Sequence, residues 1–504
     1  MPITPGFPIV LTADRTLMAD YRLLFDGMLA ASQTSTIPPE FLSGLLMPRA
    51  KHTKNQSRVA PLGLRRIEAA LLNGGFHRGD VAVVDMYHLS QVIGPATRIV
   101  ALTSGEPTGL GMNSSTMTEI AGGRIYPEVM FQRLLQCVQK CIAKSGSSAK
   151  VILGGPGAWQ LANNPVSQAE LGIDHVVTGY AERNAANIFR AIIDGENLLE
   201  VIAGEAVSPE NVPPIKGASS MGVVEISRGC GLGCSFCTIA SVPMMHIPES
   251  TILADARTNI AAGNTSIAIL SEDCFRYGAD GMKTNPGAFI SLLKKLRSID
   301  GLRLIQIDHA NICSIAQYSD EELRTVHDIL IGPYKNDYPW LNLGIETASG
   351  SLLKSIGGAP KMGRCSTSEW GSYCAAQVRR LCKAGFLPMA SLIIGLPEET
   401  DEDIQQTLDW VTSLSNERIT VFPMLNAPID GSTPIHVTDL SRLHWKLIKA
   451  CYKLNFKWTP RMYWHNQTGA GVSMAKRVLL QIMGNGQVLQ WNALFALHER
   501  RARR

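Results

Sequence analysis

The segment EISRGCGLGCSFC, residues 225–237, carries three cysteines at the spacing CxxxCxxC directly after a short apolar strand. These cysteines are Cys230, Cys234 and Cys237. Thiolates are the ligands that iron–sulfur clusters use, and three of them leave one iron of a [4Fe–4S] cube with open coordination. Gly229, Gly231 and Gly233 allow the positive φ values that a loop needs to direct three sulfurs at one cluster. With 11 cysteines in 504 residues, chance alone gives this spacing in roughly 1 of 200 such chains, so the segment predicts a cluster site.

Two other interpretations of the three cysteines remain open from the sequence. One is a zinc site that His246 completes, and the other is a set of cysteines without a ligand. The other eight cysteines are scattered, and free cysteine is a common core residue.

The chain around the cysteine segment alternates strands with helices. Apolar strands are predicted at residues 223–226, 266–270, 302–307, 340–344 and 389–394, with helices such as 286–298 and 375–384 between them. Parallel strands with right-handed crossovers predict a full or partial (β/α) barrel over residues 219–425, with the cysteines at its carboxyl-terminal rim. Residues 426–504 are predicted to be helical.

An earlier α/β series precedes the barrel. Strands are predicted at residues 81–85, 98–102, 150–155 and 174–179, with a helix near 128–143. This alternation predicts a doubly wound, Rossmann-like domain at residues 76–206. Residues 1–75 are predicted to be an amino-terminal extension, and the proline-rich stretch 207–218 a linker. The predicted fold class is therefore α/β.

Composition excludes several classes of protein. With 45% hydrophobic and 18% charged residues the chain can bury a large core, and a net charge of +4 gives no reason to expect nucleic-acid binding. No apolar run reaches the roughly 18 residues that cross a bilayer. The first residues show no secretory signal, which favours a cytoplasmic protein that does not bind membranes and has reduced cysteines.

The cysteine segment resembles the CxxxCxΦC motif of the radical S-adenosylmethionine (SAM) superfamily, with Phe236 as the aromatic residue. Three later segments are similar to SAM-contacting elements of that superfamily: SED at 271–273, GIETAS at 344–349 and SLIIGLPE at 391–398. The first departs from the usual GGE, and the third begins with serine instead of glycine. The resemblance implies a [4Fe–4S] cluster, SAM as cofactor, and SAM contacts from the following residues: Phe236, Ser271, Glu272, Glu346, Ser391 and Ile393.

The upstream domain resembles the cobalamin-binding domain of class B radical SAM methyltransferases. The resemblance rests on the small-residue loop at 103–116, the LGGPG segment at 153–157 and GIDHVVTGYAE at 172–182. It implies cobalamin contacts from Thr103, Ser104, Thr108, Gly109, Leu110, Gly111, Ser114, Ser115, Gly154, Gly155, Pro156, Tyr180 and Glu182. Glycines at 154 and 155 would let a strand end lie flat against a planar ligand.

One departure concerns the cobalt ligand. Cobalamin domains of this kind carry DxHxxG, whereas residues 85–90 here are DMYHLS. His88 is therefore not assigned to cobalt and is interpreted as structural.

The resemblance implies methyl transfer to an unactivated sp3 carbon, with a ferredoxin or flavodoxin as electron donor. The blocks VLTADR at 10–15 and APLGLRRIE at 60–68 are similar to archaeal members of the class. One such group methylates the α-carbon of a glutamine in methyl-coenzyme M reductase, which implies a protein substrate. The alternatives are a radical SAM enzyme that methylates or cyclises a small metabolite, lipid or tetrapyrrole, and an iron–sulfur electron carrier.

Overall fold

The computed structural model describes residues 5–53, 55–334, 338–429 and 433–502. The chain divides into two compact units. Unit 1 comprises residues 1–118, 122–224 and 250–264, and unit 2 comprises residues 119–121, 225–249 and 265–504. No helix among the described residues is both long enough and apolar enough to span a bilayer.

Unit 1 is built around an eight-stranded sheet with the order β2-β3-β5-β1-β6-β7-β8-β9. The strands β2 and β3 form an antiparallel hairpin, and the other neighbouring pairs are parallel. The strands of this unit are β1 (Ile9–Ala13), β2 (His52–Thr53), β3 (Gln56–Ser57), β4 (Val59–Ala60), β5 (Val81–Val83), β6 (Ile99–Thr103), β7 (Lys150–Gly154), β8 (His175–Thr178), β9 (Val201–Ala203) and β10 (Ala218–Ser219).

Helices cover both faces of this sheet, as a parallel sheet requires. They are α1 (Arg15–Met18), α2 (Leu24–Ala31), α3 (Pro39–Leu46), α4 (Leu62–Asn73), α5 (Leu89–Val92), α6 (Met112–Ala121), α7 (Tyr126–Ser145), α8 (Trp159–Ala162), α9 (Pro165–Glu170), α10 (Ala185–Ile193) and α11 (Glu249–Ala261). Ile9 and Leu11 point into a core with α4 and α10, whereas Val10 points into the opposite core with α7. The predicted Rossmann-like architecture is therefore present.

The structure does not show the predicted boundary between an amino-terminal extension, residues 1–75, and a Rossmann-like domain that begins at residue 76. β1 lies between β5 and β6 in the middle of the sheet, and all five of its residues are buried. The amino-terminal residues thus belong to the Rossmann-like unit and do not form a separate extension. The sequence of β1, IVLTA, is an apolar run of the kind that fully buried parallel strands show.

The charged residues of α4 are buried, although the helix has an amphipathic sequence. Arg65 and Arg66 are 1% and 2% exposed, and Glu68 is fully buried. Arg65 donates to Glu68 at 2.8 Å and to the carbonyl of Ala218, and Arg66 donates to Asp255 of α11. The charges are therefore paired inside unit 1, where they connect α4 to the linker and to α11.

Unit 2 contains the barrel strands in the order β11-β14-β15 and β16-β17-β18-β19. Only Asp308 separates β15 from β16, so the parallel array continues from one sheet into the next. The strands are β11 (Val223–Glu225), β12 (Ser227–Arg228), β13 (Met245–His246), β14 (Ser266–Leu270), β15 (Leu304–Ile307), β16 (His309–Ala310), β17 (Trp340–Glu346), β18 (Leu387–Ile394) and β19 (Thr420–Leu425). The predicted partial barrel is confirmed, and β19 is a further strand that the sequence pattern did not predict.

The helices of unit 2 alternate with these strands and then continue beyond them. They are α12 (Pro286–Arg297), α13 (Ile312–Ile315), α14 (Asp320–Ile331), α15 (Gly350–Ser355), α16 (Trp370–Ala384), α17 (Asp401–Ser413), α18 (Arg442–Met462) and α19 (Met474–Ala502). β19 is an edge strand, and Asn455 of α18 hydrogen-bonds to the backbone of its residue Val421. The Asn455 side chain accepts from the Val421 nitrogen and donates to the Val421 oxygen, at 2.7 Å each. The helical carboxyl-terminal region is thus confirmed.

Candidate active site

The cysteine loop follows β11 and β12 and is braced by the chain that returns through residues 239–243. The Cys230 nitrogen donates to the Val242 oxygen, and the Gly233 nitrogen donates to the Ala240 oxygen, both at 3.0 Å. Gly229 has φ +73°, and a Cβ there would lie 2.4 Å from the Pro243 oxygen. Only glycine fits this turn, because both the dihedral angle and the close approach exclude a side chain. The loop is therefore a preformed, closed element.

The separation of the cysteine sulfurs argues against a single zinc ion. Four ligands around one zinc, with Zn–S bonds of about 2.3 Å, hold the sulfurs about 3.8 Å apart. Among the described residues, the three cysteines and His246 form no group of three donors that lie within 4.8 Å of one another. His246 instead lies on β13 with its ring against Tyr277, at 5.7 Å between centroids. The donor set fits a larger inorganic cluster, which spreads its ligands more widely.

By raising their pKa, burial keeps the thiols of Cys230 and Cys234 protonated at neutral pH while the cluster is absent. It raises the pKa of Cys230 to about 11, and it also raises the pKa of Cys234, which is 7% exposed. Since thiolates are the ligands, cluster assembly must release these protons.

A buried ion pair lies beside the cysteine loop at the end of β17. Glu346 is 7% exposed, has φ +65° and follows a bulge in the pairing of β17 with β18. Its carboxylate accepts from the ammonium of Lys361, which also lies 5.9 Å from the ring centroid of Phe236. A non-glycine residue in the left-handed region costs about 1 kcal/mol or more, and such strain concentrates at functional sites. The geometry brings Phe236 and Glu346, both predicted as SAM contacts, to one lysine.

Lys361 is a site residue that the sequence patterns did not predict. Lys361 lies in the 3-10 helix Ala359–Met362 after α15, with no motif around it, and only its burial, at 7% exposure, reveals a role. The space for its ammonium exists because residue 344 is glycine: a Cβ there would lie 2.6 Å from the Lys361 nitrogen. Ser235 fixes the neighbouring chain by donating to the Ile356 oxygen at 2.8 Å.

Of the three residues after β14, two are buried and hydrogen-bonded inside the protein, and one is partly accessible. Ser271 is buried and shares a 2.6 Å hydrogen bond with Ser227, and Asp273 accepts from Ser314 and Asn311. Burial raises the pKa of Asp273 to about 6. Glu272 is only half-buried, and burial raises its pKa as well. Of the two predicted SAM contacts here, Glu272 is the one with accessible surface.

His309, which was not predicted, adds a cationic group near Glu272. Its side chain is 45% exposed, and its Nδ1 lies 3.1 Å from Oδ2 of Asp308. Burial opposes its protonation, but Asp308, Glu272 and Glu346 together raise the pKa of His309 to about 9. The imidazole is thus a cation at neutral pH and can attract a carboxylate.

The barrel interior is marked by a row of half-buried residues across neighbouring strands. His309 pairs in register with Asn342, Gly344 with Ser391, and Ser391 with Phe422. Ser391 therefore lies one strand from the Glu346 bulge, with its hydroxyl 3.5 Å from the Leu343 oxygen. Ile393, by contrast, is 4% exposed and belongs to the core.

The thirteen predicted cobalamin contacts lie in unit 1 at the carboxyl end of its strands. Some are exposed there: Leu110, Gly155, Pro156 and Tyr180. Others are buried: Thr103, Ser104 and Ser114. The half-buried members are Thr108, Gly109, Gly111, Ser115, Gly154 and Glu182. At Gly155 packing inside the unit also requires glycine, since a Cβ there would lie 2.1 Å from the Thr103 hydroxyl.

The loop at 103–111 is closed by its own hydrogen bonds. Glu106 accepts from the Gly111 nitrogen at 3.0 Å and from Gln160 at 2.8 Å. Gln160 in turn accepts from the backbone and hydroxyl of Thr108. The loop is therefore a rigid platform whose exposed tip is Leu110, at 47% exposure.

Comparison with known proteins identifies the class of the barrel unit. Residues 224–411 match the family described as the Radical SAM superfamily and form a radical SAM domain. A domain of this class implies a [4Fe–4S] cluster and SAM as cofactors, and the residues described above fit the cluster.

Two curated relatives are ribosomal protein uS12 methylthiotransferases, RimO. The one from Moorella thermoacetica is 24% identical over 59% of this chain and 67% of its own length. The one from Geobacter sulfurreducens is 30% identical over 47% of this chain and 51% of its own length. The chain thus spans half to two thirds of the length of these relatives.

A solved structure shares the fold over most of the chain. It is the radical SAM methyltransferase TsrM from Kitasatospora setae with tryptophan substrate and a SAM analogue bound, at a TM-score of 0.54 and 14% identity. The match covers 84% of this chain and 75% of TsrM. A second structure of TsrM, with cobalamin and a [4Fe–4S] cluster bound, matches with a TM-score of 0.52.

Proposed function

We propose that the chain is a cobalamin-dependent radical SAM methyltransferase that adds a methyl group to an unactivated sp3 carbon. The observation that carries the proposal is the presence, in one chain, of a Rossmann-like unit and a radical SAM domain with a preformed cysteine loop. The fold shared with TsrM over both units supports it.

In unit 2, the cysteines Cys230, Cys234 and Cys237 would hold three irons. A cluster with one open iron, when bound, supplies the electron that cleaves SAM. The cationic Lys361 and His309 and the carboxylates Glu272 and Glu346 provide complementary charges for the amino acid end of SAM. Ser391 would contact SAM from the neighbouring strand.

In unit 1, the carboxyl end of the sheet offers apolar surface that a planar corrin could cover. Leu110 after β6 and Tyr180 after β8 are 47% and 38% exposed, and Tyr87 after β5 is 36% exposed. Large exposed side chains on loops that follow three strands suit a flat ligand at the edge where open α/β sheets bind ligands. Bound cobalamin would supply the methyl group for transfer.

The proposed substrate is a glutamine α-carbon in methyl-coenzyme M reductase, with a ferredoxin or flavodoxin as electron donor. Its support is the similarity of residues 10–15 and 60–68 to archaeal members of the class. In the structure these residues form most of β1, the cap and first residue of α1, the end of β4 and the start of α4.

A second candidate function is methylthio transfer, which the two curated relatives favour. This reaction needs a sulfur donor in addition to SAM. Residues 1–223 contain only two cysteines, Cys137 and Cys141. Both are half-buried on α7. Two thiolates are fewer than the three that would hold the cluster in unit 2, so residues 1–223 offer no site of that kind for an additional cluster that could donate the sulfur.

The experiment uses anaerobically reconstituted full-length protein with reductant, methyl-deuterated SAM and a peptide that carries the target glutamine, with and without hydroxocobalamin. The expected product gains one deuterated methyl group only when the corrin is present. A product that gains a methylthio group would favour the second candidate. Methylation that is equal without corrin would contradict the proposal.

A further inference from the structure

Two histidines and an aspartate converge at the carboxyl end of the unit 1 sheet, outside the cysteine site. His52 lies on β2, and Asp85 and His88 follow β5. One donor atom from each of the three lies within 4.8 Å of the others. The side chains of His52 and Asp85 are 6% and 7% exposed, and that of His88 is 28% exposed.

The hydrogen bonds of His52 define which ring nitrogen carries its proton. Nδ1 lies 3.1 Å from the Ala50 oxygen, which can only accept, so Nδ1 is the donor. Nε2 lies 3.3 Å from the Asp85 nitrogen, which can only donate, so Nε2 has the lone pair. A backbone carbonyl on the far nitrogen is the arrangement that orients metal-bound histidines. Nε2 is also the nitrogen that faces Asp85.

The donor spacing suits one small ion. His88 Nδ1 lies 2.7 Å and His52 Nε2 lies 3.8 Å from the same Asp85 oxygen, Oδ1. A tetrahedral ion with bonds of about 2.1 Å holds its ligands about 3.4 Å apart, a value between these two distances. The imidazole rings are stacked, with centroids 3.7 Å apart and planes at 17°. Because imidazole lone pairs lie in the ring planes, one ring must rotate out of this stack so that His52 Nε2 and His88 Nδ1 converge on one ion.

We propose that His52, Asp85 and His88 bind a divalent first-row transition metal ion that fastens the β2–β3 hairpin to the loop after β5. Two imidazoles and one carboxylate are borderline ligands that suit Zn²⁺ or Fe²⁺. The ion replaces the proton between His88 Nδ1 and Asp85 Oδ1, and that proton moves to His88 Nε2. It also replaces the Asp85 amide hydrogen at His52 Nε2, so that hydrogen bond breaks when the ion binds. Arg15 and Arg49 are the nearby cations, and both contact the Tyr87 side chain, Arg15 at its hydroxyl and Arg49 over its ring.

The test uses the full chain with its cluster reconstituted and no corrin, so that Cys230, Cys234 and Cys237 are occupied. Zn²⁺ is the probe. Bound zinc after desalting and the thermal midpoint are measured for the wild type, the double variant His52→Gln/His88→Gln and the variant Asp85→Asn. The control is His77→Gln, an exposed histidine of the same unit.

The wild type and His77→Gln are expected to bind about one zinc equivalent more than the other two variants, and zinc should raise the thermal midpoint only in that pair. Asp85→Asn keeps the oxygen that accepts from Tyr87 and His88, so it tests the site if the double variant fails to fold. Equal zinc binding in all four proteins would overturn the proposal. Retention of zinc by Asp85→Asn, or its loss in His77→Gln, would overturn it as well.

Discussion

At the scale of single residues, the site depends on the pair formed by Lys361 and Glu346. Both are 7% exposed, and each compensates the charge of the other beside the cysteine loop. A buried charge without its partner is far more costly than the pair itself. Both the stability of this site and its charge balance therefore depend on Lys361.

Substitution of Lys361 tests whether the ion pair stabilises the site. We expect Lys361→Met to lower the free energy of unfolding of unit 2 by about 3 kcal/mol, because it leaves Glu346 buried and unpaired. Urea unfolding of the reconstituted protein measures the change. The matched control is Lys354→Met, an exposed lysine on α15, which should stay near the wild type. The double variant Lys361→Met/Glu346→Gln should recover much of the loss, and a double variant as unstable as Lys361→Met would contradict the pairing.

The sequence predicts the site residues that lie in a motif and misses those that do not. The spacing of the three cysteines and the aromatic Phe236 was sufficient to predict a radical SAM site, because every ligand lies within eight residues. His309 lies on the two-residue strand β16 and Lys361 in the 3-10 helix Ala359–Met362, and neither segment has a motif of its own. Only tertiary packing places them beside the carboxylates, so their role was not visible in the sequence.

At the scale of elements, the cysteine loop depends on the turn at Gly229. We expect Gly229→Ala to reduce the iron content of the reconstituted protein severely, because its Cβ would lie 2.4 Å from the Pro243 oxygen. Gly233→Ala is the control, since it has a similar φ of +69° but nothing within 4 Å of its added Cβ. Gly233→Ala should be destabilised only by its positive φ, which costs about 1–2 kcal/mol for a residue with a Cβ. Equal iron contents in the two variants would show that the return chain does not constrain the loop.

The first helix of unit 1 offers a test by pH. Asp14 caps α1 by accepting from the Thr16 nitrogen, and burial raises the pKa of this carboxyl to about 6. A carboxyl whose pKa is higher in the folded state binds its proton more tightly there, so stability falls as the pH rises from about 4 to 6. Asp14→Asn keeps the cap and avoids the buried charge.

We therefore expect Asp14→Asn to be more stable than the wild type at neutral pH by about 2 kcal/mol, and the difference to shrink below about pH 5. Thermal midpoints at the two pH values measure it. Asp194→Asn, at an exposed position of the same unit, should show no such pH dependence. A gain for Asp14→Asn that does not change with pH would refute the assigned cause.

Two elements show where sequence patterns were insufficient. β1 is a five-residue run that precedes a long stretch of mixed composition, so its pairing with β5 and β6 depends on contacts about 70 to 90 residues away in sequence. β19 has the sequence TVFPML, and its proline argues against a strand. The structure tolerates Pro423 because β19 is the edge strand of its sheet.

At the scale of the whole molecule, the two units should bind their cofactors independently. We expect Cys234→Ala to lose the cluster and keep hydroxocobalamin, whereas Leu110→Asp/Tyr180→Asp should lose the corrin and keep its iron. The physical reason is that the cluster ligands lie in unit 2 and the exposed apolar residues lie in unit 1. Iron content and the visible spectrum of the corrin, measured on the same samples, test this. Phe41→Asp, at an exposed residue on α3, serves as the control for the apolar substitutions.

The most direct measurement is the yield of 5′-deoxyadenosine from SAM under anaerobic reducing conditions, compared between the wild type and Cys230→Ala, Cys234→Ala and Cys237→Ala. We predict that the reconstituted wild type cleaves SAM and that each substitution abolishes cleavage together with the iron–sulfur absorbance. Cleavage that persists in any of the three variants at the rate of the wild type would contradict a cluster held by these cysteines.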